Sequence, residues 1–592
     1  MSKQKVLNDG IVIHVIFALL FAYVLLRAVL VFYVNDEIMT KNGYMIDWNF
    51  LPYSGYIDAN NHFVLSFLGG LFYRIFNSES IWIIRLPSIL AFPLFYYSLV
   101  GFKRYLKSNW SVLFLIVSVC CTSFFLEFFS IARGYGLSFS FMTFALLQTA
   151  FFFEKANSKN VGWATLGWLL AIYTNLSLLP IALFGILFLL LFSLQKKQKK
   201  GNVFTVLSLF PIALAVKYSL DLQKGGKLYL GAESDFYVTT IHSLTELMWN
   251  SGNAWLDVLL SIVFLLLSVH LFYSVIRSKN LFETKNIFQI FLFVGIVGIL
   301  LQNLVFGIFY PENRAATYLV VLFYGSLAFV IDQFSKRWLY VPITVVTLFF
   351  FWVNFNFTHT MIYYYEHVDK ELFSLIPDEV NGTPPATGAR FWQLDDEITK
   401  QEGYPIRAFQ LARWDSDTLF DYIVQLEELR PNIRELYHEL HVDTISKLIL
   451  FERNQFLKRK KIDEFNVNFD GKEQFYNLMP NQKISPIFIR CSGVYYNTSP
   501  IKAFPIIFSV EDSVTHEGYS YGGFGPFTSS KIAEDKTIKF DFVYTINEIP
   551  SSAILKTYIF NPREEMIRGE LKIEVYEIPG QTKSNHAIEN EL

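Results

Sequence analysis

The stretch that decides the fold is IVIHVIFALLFAYVLLRAVLVFY, residues 11–33, which is followed directly by Val34-Asn35-Asp36-Glu37-Ile38. An apolar run of this length is sufficient to cross a bilayer as a helix, which takes about 20 residues. Two adjacent carboxylates therefore fall at the membrane surface, where charge beside hydrocarbon is costly. Either they are solvated acids at the end of a helix, or they belong to a functional site.

The composition supports a membrane protein with many spans. Of 592 residues, 53% are hydrophobic and 18% aromatic, and only 17% are charged, where a soluble protein has about 25%. The net charge of −2 and the absence of a basic stripe argue against a nucleic-acid partner. Three cysteines, two of them adjacent, predict neither a disulfide framework nor a thiolate metal site.

Apolar runs predict about eleven spans within residues 1–357, together with a short helix lying at the membrane interface at 62–76. One long run, 161–194, is broken at Asn175 and Pro180 and is interpreted as two segments. The predicted spans are 11–33, 80–102, 109–125, 136–153, two within 161–194, 203–220, 254–276, 287–309, 315–332 and 338–357.

Charges in the loops predict the orientation of this bundle. Most loop lysines and arginines lie in the loops on the side of the N-terminus, which places that terminus in the cytoplasm. The N-terminal span lacks a small-residue cleavage site, so we expect it to be retained. Asp36, Glu37 and everything after residue 357 are then extracytoplasmic, as in a multi-pass protein of an inner (plasma) membrane.

Residues 358–592 are predicted to form a separate extracytoplasmic domain. Region 358–465 is interpreted as mixed α/β, with helical spacing of apolar residues at 415–429 and 444–459. Region 466–580 alternates as strands do, at 487–490, 504–510, 537–544, 553–559 and 571–575, which predicts a β-sandwich-like module with a loop at 518–526. The tail, 581–592, is expected to be disordered.

Several ionisable groups are predicted to gather at the extracytoplasmic end of the bundle. Carboxylates there can act as a general base toward a hydroxyl or amine, and arginines can hold a phosphate through forked hydrogen bonds. Together they indicate transfer of a group from a phosphate leaving group. The candidates are Asp36, Glu37, His62, Glu127, Arg133, Lys217 and Arg314.

Each candidate also has a structural alternative. Arg133 and Lys217 could extend to the lipid headgroups, and Arg314 could pair with Glu312 in its turn. His62 could cap the interfacial helix. Glu127 could pair with Arg133 across a short loop. Asp36, Glu37 and Glu127 could also bind a divalent cation through oxygen, but their spacing is not diagnostic, so no cofactor is predicted and a cation is left open.

The order of motifs resembles the glycosyltransferase-C superfamily, in the branch of protein O-mannosyltransferases and lipid A aminoarabinose transferases. The resemblance covers about residues 11–357. The residues that carry it are Asp36-Glu37 after the first span, His62 opening the interfacial helix, Arg85-Leu86-Pro87-Ser88, Ala132-Arg133-Gly134-Tyr135 and Pro311-Glu312-Asn313-Arg314. The chain departs from relatives at Asn61-His62-Phe63, where they often carry a proline pair, and the resemblance does not extend to residues 358–592.

This resemblance implies a hexosyl or pentosyl transferase that takes a sugar from a polyprenyl-phosphate-linked donor by direct, inverting displacement. The acceptor would be an extracytoplasmic lipid, glycan or protein. Asp36, Glu37 and Glu127 would be the catalytic acids, and Arg133, Arg314, His62 and Lys217 would bind substrate. Alternatives are a transporter or flippase for a lipid-linked envelope substrate, or a binding protein. No internal repeat is visible, and the ionisable groups gather at one side, which argues against a transporter.

Overall fold

The computed structural model divides the chain into two compact units, Met1–Ile362 and Tyr363–Leu592. The described residues are 3–54, 57–228, 231, 235–250, 252–334, 337–405, 407–412, 419–426, 432–481, 487–496, 504–515, 517–525, 537–546, 553–561 and 564–579.

The first unit is a bundle of α-helices. Its helices are α1 (Lys3–Leu30), α2 (Asn35–Thr40), α3 (Phe63–Phe76), α4 (Ile81–Gly101), α5 (Asn109–Cys120), α6 (Gly134–Lys155), α7 (Ser158–Thr174), α8 (Leu179–Gln195), α9 (Lys199–Lys224), α10 (His242–Trp249), α11 (Ala254–Ser278), α12 (Ile287–Phe306), α13 (Tyr318–Phe334) and α14 (Tyr340–Val353).

Within the described residues, seven helices are long and apolar enough to cross a membrane: Ile11–Leu30, Ile81–Tyr105, Gly134–Lys155, Leu176–Gln195, Lys199–Lys224, Ala254–Ser278 and Thr284–Phe306. Four shorter apolar helices, α3, α5, α13 and α14, accompany them. The chain is therefore a multi-span α-helical membrane protein, as predicted, while the count of about eleven spans stays a prediction.

The run 161–194 is indeed interrupted where the sequence predicts. Helix α7 ends at Thr174, and the Asn175 side chain accepts a hydrogen bond from the backbone N–H of Ser177 at 3.1 Å. Pro180 follows at the start of α8, where its missing N–H costs no helical hydrogen bond. The predicted interfacial helix is also present as α3, preceded by His62.

The interior of the bundle is rich in aromatic side chains. Phe95, Phe125 and Phe129 are fully buried, with ring centroids 5.2–6.0 Å apart. Trp168 of α7 stacks on Phe291 of α12 at 5.1 Å. Gly185 of α8 allows this arrangement, since a Cβ there would lie 2.7 Å from the indole of Trp168. Small residues let helices approach closely where lipid supplies no hydrophobic driving force.

In its described residues the second unit contains three β-sheets and two α-helices, α15 (Trp392–Glu402) and α16 (Ile433–Leu436). The strands are β1 (Thr387–Ala389), β2 (Gln410–Leu411), β3 (Tyr422–Gln425), β4 (Tyr437–Val442), β5 (Ile449–Arg453), β6 (Lys460–Gly471), β7 (Phe475–Asn477), β8 (Ile487–Tyr496), β9 (Ile506–Asp512), β10 (Gly518–Phe524), β11 (Ile538–Ile546), β12 (Ala553–Phe560) and β13 (Ile567–Glu577).

A five-stranded mixed sheet, in the order β2-β1-β3-β5-β4, has parallel pairing at β2-β1-β3 and antiparallel pairing beyond. Two antiparallel four-stranded sheets, β10-β9-β12-β7 and β11-β8-β13-β6, share one hydrophobic core that includes Phe508, Phe542 and Ile573. Sheets joined by a common core form a sandwich, so the strand-rich C-terminal unit is confirmed.

Three local predictions in this unit are wrong within the described residues. The predicted helices at 415–429 and 444–459 contain strands β3 and β5 instead, and the predicted loop at 518–526 contains strand β10. All four residues of β3 are buried, as are Leu448, Ile449, Leu450 and Phe451 around β5. Strands buried on both faces show no alternation of apolar and polar residues. Residues 413–418, 427–431, 526 and 580–592 lie outside the described part of the chain.

Candidate active site

Asp36 lies between two arginines at the end of the bundle where α1 ends. Its Oδ2 is 3.2 Å from Nη2 of Arg133 and 3.2 Å from Nη2 of Arg314. The Asp36 side chain is 14% exposed and that of Arg314 is 12% exposed, whereas Arg133 is buried. Three residues far apart in sequence thus form one partly open cluster of a carboxylate and two guanidinium groups.

Helix α2 and the Asn60 loop hold Arg133 in place. Arg133 is the residue before α6, and its Nη1 donates to the Asp36 carbonyl at 3.3 Å and to Thr40 Oγ1 at 3.2 Å. Its Nη2 also donates to Asn60 Oδ1 at 2.9 Å. A rigid fork with several partners fixes the orientation of a guanidinium. Arg133 therefore points into the protein and does not extend to a lipid surface.

The turn that carries Arg314 is braced by residues near α10. The Pro311 carbonyl accepts from Thr240 Oγ1 at 2.8 Å, and the Asn313 N–H donates to Ser243 Oγ at 2.9 Å. Asn313 has φ of 53°, a left-handed conformation that asparagine tolerates better than most residues. Arg314 forms its ion pair with Asp36 and not with Glu312, which was the structural alternative.

Glu37 lies beside Asp36 in sequence but in a closed environment. Its side chain and that of Arg85 are both 0% exposed, with Oε1 2.9 Å from Arg85 Nε and Oε2 2.6 Å from Arg85 Nη2. Oε1 also accepts from the Ala132 N–H, and Oε2 accepts from the Val34 N–H at 3.1 Å. Both carboxylate oxygens are thus occupied by protein donors. This geometry favours a positioning role for Glu37, and its predicted catalytic role is left as a prediction without geometric support.

Arg85 extends the same network to the end of the first span. Its Nη1 donates to the carbonyls of Ala28 and Val31, at 3.2 and 2.7 Å, and its Nη2 donates to that of Phe32 at 3.0 Å. The last carbonyls of a helix have no partner within the helix, so Arg85 satisfies those at the end of α1. The Glu37–Arg85 pair thereby ties α1, α2, α4 and the segment before Arg133 together.

Glu127 forms a second closed pair, with Arg27 rather than with Arg133. Arg27 Nη2 lies 2.9 Å from Glu127 Oε1, and both side chains are buried. The carboxylate also accepts from the Met361 N–H at 2.9 Å, and Arg27 donates to the carbonyls of Asn356 and His359 at 2.7 and 2.8 Å. Burial raises the pKa of Glu127, and Arg27 opposes that rise. The pair fastens the segment after α14 to α1.

His62 is buried close to Arg133. Its Nδ1 lies 2.8 Å from the Thr174 carbonyl, and the edge of its ring packs against Tyr135 with centroids 5.5 Å apart. Gly134 leaves room for this contact, because a Cβ at that position would clash with the Thr174 carbonyl and the imidazole. Burial, followed by the charge of Arg133, lowers the pKa of His62 to about 3. His62 does precede α3, but its side chain makes no capping hydrogen bond to that helix.

Lys217 is not part of this cluster. It is 65% exposed, and its Nζ contacts Asp221 Oδ2 at 2.5 Å and Tyr53 Oη at 3.1 Å. An exposed pair of this kind contributes little energy. The predicted substrate-binding role of Lys217 therefore has no support from its described contacts.

A cavity of about 160 Å³ lies beside Arg133. One part of its wall is polar and includes Asn60, His62 and Arg133, and another part is apolar and includes Ile172, Leu179, Ile299 and Phe309. This volume is below the roughly 300–1,000 Å³ of pockets for drug-sized ligands. The cavity can therefore enclose a small polar group, with an apolar wall beside it.

The sequence left a divalent cation open. In the described part of the chain, no group of three or more His, Cys, Asp or Glu side chains is placed to hold a metal ion.

Sequence reasoning also missed Arg27, Thr40 and Asn60, which hold the acids and arginines in place. Arg27 carried a signal, because a charged residue within an apolar span usually has a buried partner. Thr40 and Asn60 carried none.

Comparison with known proteins gives structural similarities only. No family model matches the sequence, and no curated protein matches it. The chain is similar to ArnT from Cupriavidus metallidurans in the apo state, with TM-score 0.45 and 13% identity over 75% of this chain and 98% of that one. For ArnT bound to undecaprenyl phosphate the values are 0.42, 11%, 76% and 98%.

The arabinosyltransferase EmbB from Mycobacterium smegmatis is also similar, with TM-score 0.38 and 9% identity over 95% of this chain and 64% of that one. At these identities and TM-scores the three similarities carry no argument about activity. The chain itself is a multi-span membrane protein with a cluster of one carboxylate and two arginines at one end of its bundle.

Proposed function

We propose that the chain is a membrane glycosyltransferase that moves a sugar from a polyprenyl-phosphate-linked donor to a hydroxyl or amine acceptor. The observation that supports it best is Asp36 held between Arg133 and Arg314 at one end of the helical bundle, where Arg133 also lines a cavity with a polar and an apolar wall. A carboxylate supplies a base, and two guanidinium groups supply a phosphate site. The excess of positive charge in the loops on the N-terminal side supports an extracytoplasmic location for this chemistry.

The two arginines are the groups suited to the donor phosphate. Their Nη2 atoms share one oxygen of Asp36. An arriving phosphate competes with that carboxylate for the same hydrogen-bond donors. Once the phosphate engages Arg133 and Arg314, Asp36 loses two positive partners and becomes a stronger base. Donor binding would in this way prepare the base for the acceptor.

The transfer step follows from these positions. The acceptor oxygen or nitrogen attacks the anomeric carbon, and its proton passes to Asp36. The bond from that carbon to the phosphate oxygen breaks, and the electron pair leaves with the polyprenyl phosphate. Arg133 and Arg314 stabilise the charge that develops on the leaving group. Direct displacement inverts the anomeric carbon. Glu37 and Glu127 have their oxygens bound to protein donors, so they position the site and take no proton.

The test of the reaction uses the full-length chain in lipid nanodiscs with radiolabelled polyprenyl-phosphate sugars and a crude envelope extract as acceptor source. We expect wild type to transfer label, and Asp36→Asn to lose about 10²–10⁴-fold in rate, which is typical for loss of a general base. Asp221→Asn, an exposed carboxylate outside the cluster, is the matched control and keeps wild-type rates. Full activity in Asp36→Asn would rule out Asp36 as the base.

A binding experiment tests the competition for the arginines. Undecaprenyl phosphate serves as the probe in equilibrium titrations. Arg133→Gln and Arg314→Gln should each weaken its binding by tenfold or more, because each loses a charge-assisted hydrogen bond of about 1.5–3 kcal/mol. Asp36→Asn should bind the probe more tightly than wild type, although its rate of sugar transfer is much lower. Equal affinity in all variants would remove the phosphate site from the proposal, and lipid movement without product would favour a transporter.

A further inference from the structure

The tautomer of His62 is set by its partner in the fold. Its Nδ1 lies 2.8 Å from the Thr174 carbonyl oxygen. A carbonyl oxygen only accepts hydrogen bonds, so Nδ1 must carry a proton and donate it. The contact links the loop before α3 to the end of α7, and both His62 and Thr174 line the cavity.

The other ring nitrogen is left as an acceptor. Burial and the nearby charge of Arg133 lower the pKa of His62 to about 3, so the imidazole is neutral at physiological pH and its one proton is on Nδ1. Nε2 then offers only a lone pair. This atom is buried, and within the described part of the chain it has no hydrogen-bond partner. A buried acceptor without a donor costs about 1–3 kcal/mol, a cost that a ligand with a suitable donor would remove.

The position of the cavity indicates which part of a ligand meets this atom. Arg133 lines the same cavity as His62 and also contacts Asp36. If the donor phosphate engages Arg133, the sugar attached to it has the cavity wall that includes His62 within its reach. The phosphate itself is an unsuitable partner for Nε2, because an ionised phosphodiester presents acceptor oxygens and no donor. A sugar hydroxyl is suitable, since its O–H donates.

We infer that His62 is a specificity-determining residue whose Nε2 accepts a hydrogen bond from a hydroxyl of the lipid-linked sugar. This inference rests on the proposed function, because it assumes that the donor phosphate binds at Arg133 and Arg314. His62 would thus recognise the sugar, and the two arginines would bind the phosphate. A site built around a hydroxyl rejects an analogue that lacks it much more strongly than a purely apolar pocket can.

Three substitutions separate this role from support of the fold. His62→Asn keeps an amide N–H near the position of Nδ1 for the Thr174 carbonyl but has no atom at the position of Nε2. His62→Gln reaches the position of Nε2 with an amide oxygen that can accept. His62→Phe keeps the ring shape and loses both polar atoms. Thermal unfolding of each variant in nanodiscs reports whether the contact with Thr174 matters for folding.

The measurement is equilibrium binding of two probes, undecaprenyl phosphate and the undecaprenyl-phosphate-linked sugar that wild type transfers. We expect His62→Asn to bind the sugar-bearing lipid at least tenfold more weakly and the bare lipid phosphate within twofold of wild type. His62→Gln should recover part of the loss. Versions of the sugar that each lack one hydroxyl identify the contact. One of them should bind wild type about tenfold more weakly than the parent sugar does. The same version and the parent sugar should bind His62→Asn with equal affinity.

The outcomes are distinct. If His62→Asn weakens both probes equally, His62 reads the phosphate and the inference is overturned. If it weakens neither, while wild type still transfers sugar, the inference fails and the proposed function stands. If wild type shows no preference for any sugar-bearing lipid and transfers no label, the proposed function fails, and the inference fails with it.

Discussion

Asp36 and Glu37 are neighbours in the chain but belong to two different regions of the molecule. Asp36 is partly exposed and shares one oxygen with two arginines from distant segments. Glu37 is fully buried, and both its oxygens are bound to Arg85 and to backbone N–H groups. In our proposal the open region exchanges its partners for a substrate, whereas the closed region holds helices together. An acid is thus available for chemistry only if its surroundings leave room for an exchange.

The closed region should be most sensitive in stability. Glu37→Gln leaves Arg85 buried without a counter-charge, so we expect a loss of about 3–5 kcal/mol in the free energy of unfolding. Denaturant titration of the full chain in mixed micelles measures it. Asp221→Asn, whose carboxylate lies outside both closed pairs, is the control and should change the free energy of unfolding by less than about 1 kcal/mol. Wild-type stability with loss of transfer would instead make Glu37 a participant in the reaction.

Glu127→Gln extends the comparison to the second closed pair. It leaves Arg27 without a counter-charge, but the glutamine oxygen still accepts from the Met361 N–H. We therefore expect a loss toward the lower end of the same range of about 3–5 kcal/mol. The same titration applies, with Asp221→Asn as control. A drop in transfer rate of about 10²-fold without any loss of stability would place Glu127 among the catalytic acids.

The pH dependence of stability tests the buried state of His62, which lies close to Arg133 of the open region. Its pKa falls from 6.5 to about 3 on folding, so the unfolded chain takes up a proton that the folded chain does not. The stability of wild type is then retained above pH 6.5 and is lost as the pH falls toward 3. The slope is at most about 1.4 kcal/mol per pH unit, or about 2 kcal/mol between pH 6.5 and 5.

This contribution is isolated by subtraction. His62→Asn has no imidazole, so the difference between its pH profile and that of wild type should carry the whole effect, while other titrating groups cancel. Denaturant titrations at several pH values give both profiles. Parallel profiles from pH 7 to 5 would show that the buried imidazole does not behave as its surroundings predict.

Substitution of Lys217 should have the smallest effect on stability and binding. Its pair with Asp221 is exposed, and exposed pairs contribute about 0–1 kcal/mol. Lys217→Ala should therefore change the free energy of unfolding by less than about 1 kcal/mol. It should also leave binding of undecaprenyl phosphate within about twofold of wild type, because Lys217 contacts Asp221 and Tyr53 and not the Asp36 cluster. A tenfold weaker affinity in the same titrations would return Lys217 to the substrate-binding site.

Sequence patterns predicted the broad architecture because its physical causes are local. The length of apolar runs indicates spans, a proline and an asparagine break the run 161–194, and alternation indicates the sandwich strands. The same reasoning failed for β3 and β5, since both are buried on two faces and lose their alternation.

The sequence by itself determined that this is a multi-span membrane protein whose ionisable groups gather near the ends of its spans, because charge near hydrocarbon is too costly to occur without a role or a partner. Only the tertiary structure decided which acid is available. The choice between Asp36, Glu37 and Glu127 depends on whether Arg133 and Arg314, Arg85 or Arg27 reaches each carboxylate. Those arginines lie tens to hundreds of residues away from the acids in sequence, and no local sequence pattern specifies these contacts.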